Sequence, residues 1–270
     1  DRLLIYLRLD GASSQLDAEV QTLREAGQPV YTIELEDAYD LGGEFLRWEF
    51  ATAVVGKFLG INPFDEPDVA LAKRLAKEGL QAYQEEGDLP IQTPLFTEEN
   101  VSLYADARLG EILENICNQC NYDSTLLEGL LAAHIGLARS GNYIGLLAYL
   151  ESSLANDDAL QNIRRRLRHT TKRAVTVGFG PRYLHSTGQL HKGGPNTGVF
   201  IVITVDDDVE LPIPGKPYSF SVLKQAQAQG DMRALQERGR RVVRLHIAGD
   251  ILAGLEKIDK AIEAIGAKNI

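Results

Sequence analysis

The densest group of side chains suited to chemistry lies in the segment 178–200, GFGPRYLHSTGQLHKGGPNTGVF. Imidazole, hydroxyl, amide and cationic groups stand there among glycines, which let a backbone approach a ligand closely. Such groups can bind hydroxyls and phosphate and can transfer protons. The spacing is not that of a nucleotide-binding P-loop, and a surface loop whose glycines serve turns is the alternative. The polar members are Arg182, His185, Ser186, Thr187, Gln189, His191, Lys192 and Asn196.

A second candidate segment is GINPFDEPDVALAK at 60–73. Asp65 could cap a helix that begins near Pro67, because proline is favoured in a first turn. Lys73 falls about two turns into that helix. On spacing alone, a lysine at such a position is a solvated surface residue.

Two shorter patterns have structural interpretations that we favour over chemical ones. Glu44 and Arg47 are three residues apart on a predicted helix and can form an ion pair, whereas a catalytic role for Glu44 or Glu49 is the alternative. Cys117 and Cys120 form a C-x-x-C in a stretch predicted to be helical, with no second pair to complete a zinc site. We interpret them as buried structural cysteines.

A basic run at 164–173 falls at the end of a predicted helix, where the helix dipole favours cations. A nucleic-acid site is the alternative for this run. His134, His169 and His246 stand alone and are interpreted as packing or surface residues. No His, Cys, Asp or Glu group has convincing metal-ligand spacing.

Composition limits the classes of partner. The 270 residues carry a formal net charge of −10, which disfavours nucleic acid or an anionic membrane as the main partner, because both attract a basic surface. No apolar run approaches the roughly 18–20 residues that span a bilayer, and no signal peptide is visible. Two cysteines make no disulfide framework, so a reducing cytoplasm is the expected location.

Short β-branched runs alternate with amphipathic stretches along most of the chain. Residues 88–140 show little strand character and are predicted to be helical with loops. Strands are predicted at 3–9, 29–35, 143–150, 173–179, 198–205 and 241–247, and helices at 14–27, 41–60, 67–86, 155–169, 218–238 and 250–266.

Strands separated by helix-length crossovers indicate a parallel sheet covered on both faces. The predicted fold class is therefore α/β, a three-layer α/β/α sandwich with a mainly parallel sheet. We expect one domain over 1–270, with a sheet core from 1–65 and 141–270 and a helical excursion at 66–140. The segment 178–200 falls beyond the carboxyl end of a strand, where ligands bind in open parallel sheets.

The segment 178–200, together with DLGGEFLRWEFATAVVGKFLGINPFDEPDVALAK at 40–73, resembles the phosphoglucose isomerase portion of bifunctional transaldolase/phosphoglucose isomerase fusion proteins. The resemblance runs from YLRLDG at 6–11 through LPIPG to RGRRVVRLHI, nearly to the end of the chain. The family builds its site on sugar-isomerase (SIS) domains, so the resemblance implies an SIS-like fold, in agreement with the predicted sheet.

The resemblance also implies roles for individual residues. The helix lysine of the NPFDEPDVALAK signature is catalytic in the family, which corresponds to Lys73. The HSTGQ segment resembles the one that bears the ring-opening histidine, which corresponds to His185. The implied substrate contacts are Ser186, Thr187, Gln189, Lys192 and Glu66, the last standing where the signature usually has glutamine.

Two parts of the family's site have no counterpart in this sequence. The proton-shuttling glutamate of the family lies in a segment before the YLRLDG strand, and a first SIS domain supplies serine and threonine contacts. Lys73 also precedes His185, whereas ordinary members place the histidine first. We therefore expect this chain to be the C-terminal part of a larger enzyme, with an upstream SIS domain that supplies the base, and to assemble as a homo-oligomer.

The resulting hypothesis is an aldose–ketose isomerase that interconverts glucose 6-phosphate and fructose 6-phosphate. Its substrate partner is a sugar phosphate, and its chemistry needs no metal or redox cofactor. The main alternative is a non-catalytic SIS module that binds a phosphosugar or dimerises. A third reading is isomerisation of another sugar phosphate, such as mannose 6-phosphate.

Overall fold

The computed structural model describes residues 3–12, 15–90 and 92–267 and divides the chain into two compact units, Asp1–Asp65 and Glu66–Ile270. In the first unit two parallel strands pair from Leu4 opposite Val30 onward. Its long second helix ends at Gly60, whose positive φ of 67° is a conformation that favours glycine at a helix end. The elements are β1 Leu4–Leu9, α1 Gln15–Glu25, β2 Val30–Leu35 and α2 Asp40–Leu59.

The second unit is built on a six-stranded sheet with helices packed against it. Its strands are β3 Phe96–Glu98, β4 Val101–Tyr104, β5 Tyr143–Tyr149, β6 Ala174–Phe179, β7 Gly198–Val205 and β8 Arg241–Ile247. Its helices are α3 Pro67–Glu86, α4 Ala107–Cys120, α5 Leu127–Gly136, α6 Leu154–Thr171, α7 Gly188–Gly193, α8 Phe220–Glu237 and α9 Ile251–Ala267. A short 3-10 helix, Arg182–His185, lies between β6 and α7.

The strand order is β3-β4-β8-β7-β5-β6. The four strands β8, β7, β5 and β6 are parallel, and β4 and β3 extend the sheet in antiparallel orientation at one edge. The chain runs from β5 outward to β6 and then returns to β7 on the other side of β5. The sheet is therefore mainly parallel, as predicted.

Both faces of this sheet are covered. Along β7, Ile201 and Ile203 lie in one core cluster with residues of α4, α5, α6 and α9. The alternate residues Phe200 and Val202 lie in a second cluster with residues of α3 and α8. This alternation follows from the two-residue period of a strand. The predicted three-layer α/β/α sandwich is confirmed.

The set of strands that forms the main sheet differs from the expectation. Strands β1 and β2 pair with each other in a sheet of their own, while β3 and β4, inside the stretch predicted to be helical, complete the six-stranded sheet. Apolar alternation shows that a segment is extended but does not show which strand it pairs with. The antiparallel β4 occupies the β8 edge, so the sheet core is drawn from 96–104 and 143–247.

No helix in the described ranges is long and apolar enough to cross a membrane.

Candidate functional site

Lys73 and His185, which lie far apart in the sequence, line one cleft of the second unit. This cleft, here the α3–α8 cleft, has a volume of about 220 Å³. Its polar groups are two ammonium groups, an imidazole and an amide, and none of its lining residues is a carboxylate. The lining residues are Ala72, Lys73, Ala76, Lys77, Leu80, Pro181, Leu184, His185, Leu223 and Gln227.

Lys73 is presented by α3, which packs closely against α8. Gly230 of α8 permits this approach, because a Cβ at that position would lie 2.6 Å from the backbone nitrogen of Ala76 and 3.0 Å from the carbonyl oxygen of Ala72. The small residues Ala72 and Ala76 in turn leave room for the α8 backbone. The helix pair thus fixes where Lys73 stands along the cleft wall.

The N-cap of α3 differs from the prediction. The first helical residue is Pro67. Glu66 occupies the N-cap position, with a non-helical φ of −131° and ψ of 57°, and its side chain makes no capping hydrogen bond. Asp65 lies one residue too early for its side chain to serve as the N-cap. The expected capping role of Asp65 is therefore wrong, although the helix begins where the sequence predicted.

Glu66 lies beside Lys73. Its Oε1 is 3.4 Å from the Lys73 Nζ, and the two side chains remain 53% and 54% exposed. An ion pair this exposed contributes little to stability, since water competes for both partners. Both groups therefore remain accessible to a ligand at the cleft.

His185 is the last residue of the 3-10 helix and is exposed, while Tyr183 and Leu184 before it are buried. The Tyr183 hydroxyl donates to Oδ2 of Asp231 on α8 and stands 3.5 Å from the Tyr149 hydroxyl. Burial raises the pKa of Tyr183 well above its ordinary value, so the phenol stays protonated and continues to donate. This buried anchor fixes the short helix from which His185 projects.

Lys192 is not placed where a ligand could reach it. Its side chain is 0% exposed, and its Nζ pairs with Asp231 Oδ1 and lies 3.4 Å from the Gly188 carbonyl oxygen. The prediction that Lys192 contacts substrate is corrected by this burial. Asp231 therefore joins two parts of the segment 178–200, Lys192 and Tyr183, to α8.

Gln189 has a structural partner. Its Nε2 donates to Asp68 Oδ2 over 2.6 Å, and its Oε1 accepts from the Asp68 backbone nitrogen over 3.0 Å. Asp68 also pairs with Arg238 at 2.5 Å. Gln189 thereby holds α7 to the first turn of α3 and does not line the α3–α8 cleft.

Ser186 and Thr187 follow His185 directly but do not line the cleft either. The Ser186 hydroxyl donates to the Tyr183 carbonyl oxygen over 3.2 Å, and Thr187 precedes the first turn of α7 without a side-chain cap. Ser186 is exposed and Thr187 half-buried. Of the predicted site residues, the cleft lining thus brings together Lys73 and His185, with Glu66 paired to Lys73.

Two lining residues, Lys77 and Gln227, were not among the predicted ones. Lys77 lies four residues after Lys73, and residues at that spacing share a helix face, so the sequence held a signal for it. Gln227 belongs to α8, and no spacing in the sequence relates that helix to α3. Its position depends on the packing of the two helices.

Several structural interpretations are confirmed. Arg47 Nη1 lies 2.7 Å from Glu44 Oε1, and Glu44 is buried. Cys117 is buried in α4, with its thiol 3.6 Å from the Gly129 carbonyl oxygen, but Cys120 is exposed, so only one of the two cysteines fits the prediction.

The basic run and the lone histidines lie in surroundings that agree with their structural interpretation. Arg166 of α6 donates to both carboxylate oxygens of Asp259 over 2.8 and 2.9 Å and pairs with Glu263 at 2.7 Å. His134 is fully buried, with its Nε2 3.0 Å from the Phe200 carbonyl oxygen. His169 is exposed in the last turn of α6.

Comparison with known proteins gives a partial similarity. No family model matches the chain. Over 80 residues the chain is 39% identical to a probable glucose-6-phosphate isomerase from Natronomonas pharaonis, a stretch that covers 27% of this chain and 19% of that protein. A hypothetical protein from Thermus thermophilus superposes with a TM-score of 0.45 and 16% identity, over 97% of this chain and 57% of the other. Part of this chain is therefore similar in sequence to a probable glucose-6-phosphate isomerase.

Proposed function

We propose that this chain carries part of the active site of an aldose–ketose isomerase that interconverts glucose 6-phosphate and fructose 6-phosphate. The observation that carries the proposal is the shared cleft of Lys73 and His185. The partial similarity to a probable glucose-6-phosphate isomerase supports the same reaction class. The family resemblance independently gives these two residues catalytic roles.

His185 has the chemistry for ring opening. A neutral imidazole has one ring nitrogen that accepts a proton and one that donates one, so it can take a proton from the anomeric hydroxyl and return one to the ring oxygen. Its exposed position at the end of the 3-10 helix lets it reach a bound sugar. The buried anchor of Tyr183 on Asp231 keeps that position fixed.

Lys73 and Lys77 supply positive charge to the same cleft. Moving a proton between C2 and C1 builds negative charge on the substrate oxygens as the enediol forms. A fixed ammonium group near those oxygens stabilises that charge. The cleft is locally basic although the whole chain is acidic.

The group that carries the proton between the two carbons is proposed to come from outside this cleft. Its lining contains no carboxylate, and Glu66, although it lies beside Lys73, is not part of that lining. An upstream SIS domain, or a second copy of the chain in a homo-oligomer, would supply the base. A cytoplasmic location belongs to the same proposal.

The test replaces His185 in the protein that includes the upstream segment. His185→Ala should lower turnover of cyclic glucose 6-phosphate by about a hundredfold or more, the contribution of a general acid–base group. Turnover of a short aldose phosphate that cannot close to a ring should change much less. Formation of the ketose phosphate from each substrate is followed with a coupled enzyme assay.

His169→Ala is the matched control, because His169 is an exposed histidine on the distant α6. Equal losses on the cyclic and the acyclic substrate would contradict the ring-opening role. Lys73→Ala, with exposed Lys216→Ala as its control, should lower turnover on both substrates. Unchanged turnover in Lys73→Ala would remove the isomerase proposal.

A phosphosugar-binding module without chemistry is the second candidate, and the lack of a carboxylate in the cleft favours it for the isolated chain. It predicts that glucose 6-phosphate binds, measured by calorimetry, with no turnover even after the upstream segment is added. The isomerase proposal predicts that adding this segment produces turnover that depends on His185.

A further inference from the structure

A second cleft lies at the carboxyl ends of β7 and β8, beside α8. This cleft, here the Arg244 cleft, has a volume of about 150 Å³ and shares no lining residue with the α3–α8 cleft. Thr204 of β7 and Arg244 and His246 of β8 form one side, and Gln225 and Gln229 of α8 form the other. Carboxyl ends of parallel strands are the usual place for a ligand in open sheets.

Arg244 is unusual for a charged residue, since it is only 8% exposed. Its guanidinium lies over the Tyr104 ring at 3.8 Å. It donates to Thr204 Oγ1 over 3.3 Å and to Gln92 Oε1 over 3.0 Å, while its Nε has no hydrogen-bond partner among the described residues. Every hydrogen-bond and ring partner of Arg244 among the described residues is neutral. A buried charge without a counter-charge is costly.

The acidic residue that lines the cleft, Asp206, hydrogen-bonds to a histidine. Thr204 Oγ1 lies 3.0 Å from His246 Nδ1, and His246 Nε2 lies 3.2 Å from Asp206 Oδ1. Because Thr204 accepts from Arg244, its own proton is free to donate to Nδ1, so the His246 proton sits on Nε2 and is donated to Asp206. Burial lowers the pKa of His246, which agrees with this neutral tautomer. Arg244 thus has no direct ion-pair partner among the described residues, although the Asp206 carboxylate lines the same cleft.

We propose that the Arg244 cleft binds a small carboxylate that also bears a hydroxyl or carbonyl group. The planar guanidinium matches the two oxygens of a carboxylate. The cleft volume of about 150 Å³ admits only a small molecule, and the Gln225 and Gln229 amides offer both donors and acceptors to its neutral polar group. The exposed Asp206 carboxylate at the rim disfavours a dianionic phosphate.

The test measures the thermal unfolding temperature of the chain with lactate, acetate and inorganic phosphate as probes. Lactate should raise it most, acetate less and phosphate least, because ligands that bind the native state stabilise it by mass action. Arg244→Met should lower lactate affinity at least about tenfold. Arg166→Met is the matched control, since Arg166 is satisfied by Asp259 and Glu263, and it should bind lactate as the unaltered chain does.

A second variant keeps the test decisive if Arg244→Met does not fold. Gln229→Leu alters only the α8 side of the cleft and should reduce the affinity for lactate to that for acetate. In the unaltered chain, lactate should also shift the NMR signals of the Tyr104 and His246 rings. No stabilisation by lactate, an equal effect in Arg244→Met, or tighter binding of phosphate than of lactate would each overturn the proposal.

Discussion

Lys73 and Lys192 show how one residue type reaches opposite environments. Lys73 stays half exposed on α3 beside Glu66, while Lys192 is fully buried against Asp231. The residues around Lys192 suggested a ligand site because histidine, glutamine and glycines surround it in the sequence. The counter-charge of Lys192 is Asp231 on α8, which follows β7 in the chain. No local sequence pattern predicts a pairing across that distance.

The buried ion pair leads to the first stability prediction. Lys192→Met should lower the free energy of unfolding by about 3–5 kcal/mol, because it leaves the Asp231 carboxylate buried without its charge partner. Lys260→Met removes an exposed pair with Glu256 and should lower the free energy of unfolding much less, because water competes for both partners. Urea denaturation measures both, and similar costs for the two variants would show that the Lys192 pair is not buried as described.

Buried histidines give a pH prediction. Burial lowers the pKa of His134 from its ordinary 6.5 to about 4, and that of His191 likewise to about 4. Below pH 6.5 the unfolded chain therefore binds protons at these histidines that the folded chain does not. The free energy of unfolding falls as a result while the pH falls towards about 4. The loss should reach about 3 kcal/mol for each histidine.

The measurement is urea denaturation across that pH range. His134→Gln should flatten the pH dependence, since its amide can still donate to the Phe200 carbonyl oxygen without titrating. His169→Gln, at an exposed position, should leave the slope unaltered. If the free energy of unfolding of His134→Gln fell with pH as steeply as that of the unaltered chain, His134 would not contribute to the pH dependence.

At the scale of elements, the contact between α3 and α8 sets the geometry of both the core and the cleft. Ala72 and Leu75 of α3 form a small core cluster with Ala234 of α8. Gly230 allows the two backbones to meet without an intervening side chain. The position of Lys73 relative to His185 therefore depends on this one glycine.

Gly230→Ala should destabilise the chain by about 1–3 kcal/mol, because the new methyl meets backbone atoms of α3 that cannot move independently. It should also lower any turnover that depends on Lys73. Gly79→Ala is the matched control on α3: its Cβ would meet nothing nearer than 3.9 Å, and alanine is the better helix former by about 0.5–1 kcal/mol. Denaturation that is alike in both variants would contradict the close packing.

Much of the element pattern was predictable, and the pairing of the strands was not. The helix Pro67–Glu86 and the strand Gly198–Val205 lie at the predicted bounds, because long periodic segments carry their own signal. The strands Phe96–Glu98 and Val101–Tyr104 are too short for their alternation to stand out, and their pairing with β8 is a tertiary contact. For the candidate site, the family motifs predicted Lys73 and His185, whereas the position of Gln227 depends on the packing of α8 against α3 and that of Arg244 on the packing of α8 against the sheet.

At the scale of the molecule, the hydrophobic core is unevenly distributed. The members of all three core clusters lie between Val69 and Ile265, within the second unit. In the first unit the buried residues in the described ranges are few: Val20, Ile33, Leu35, Glu44 and Gly56. A unit that buries so little apolar surface cannot offset the conformational entropy of its chain.

The fragment 66–270 should therefore unfold in a single cooperative thermal transition, whereas the fragment 1–65 alone should show none. Circular dichroism and calorimetry on the two fragments measure this difference. The full chain serves as the reference for the transition of the larger fragment. A cooperative transition in 1–65 alone would show that its small core suffices.

Helix α8 separates the two clefts of the second unit. Leu223 and Gln227 line the α3–α8 cleft, while Gln225 and Gln229 line the Arg244 cleft on the opposite side of the helix. A sideways displacement of α8 across the sheet would widen one cleft and narrow the other. If a ligand in one cleft changes the affinity of the other cleft by some factor, thermodynamic linkage requires that a ligand in the second cleft change the affinity of the first by the same factor. Binding in the two clefts, which have no residue in common, would in this way be coupled through the position of one helix.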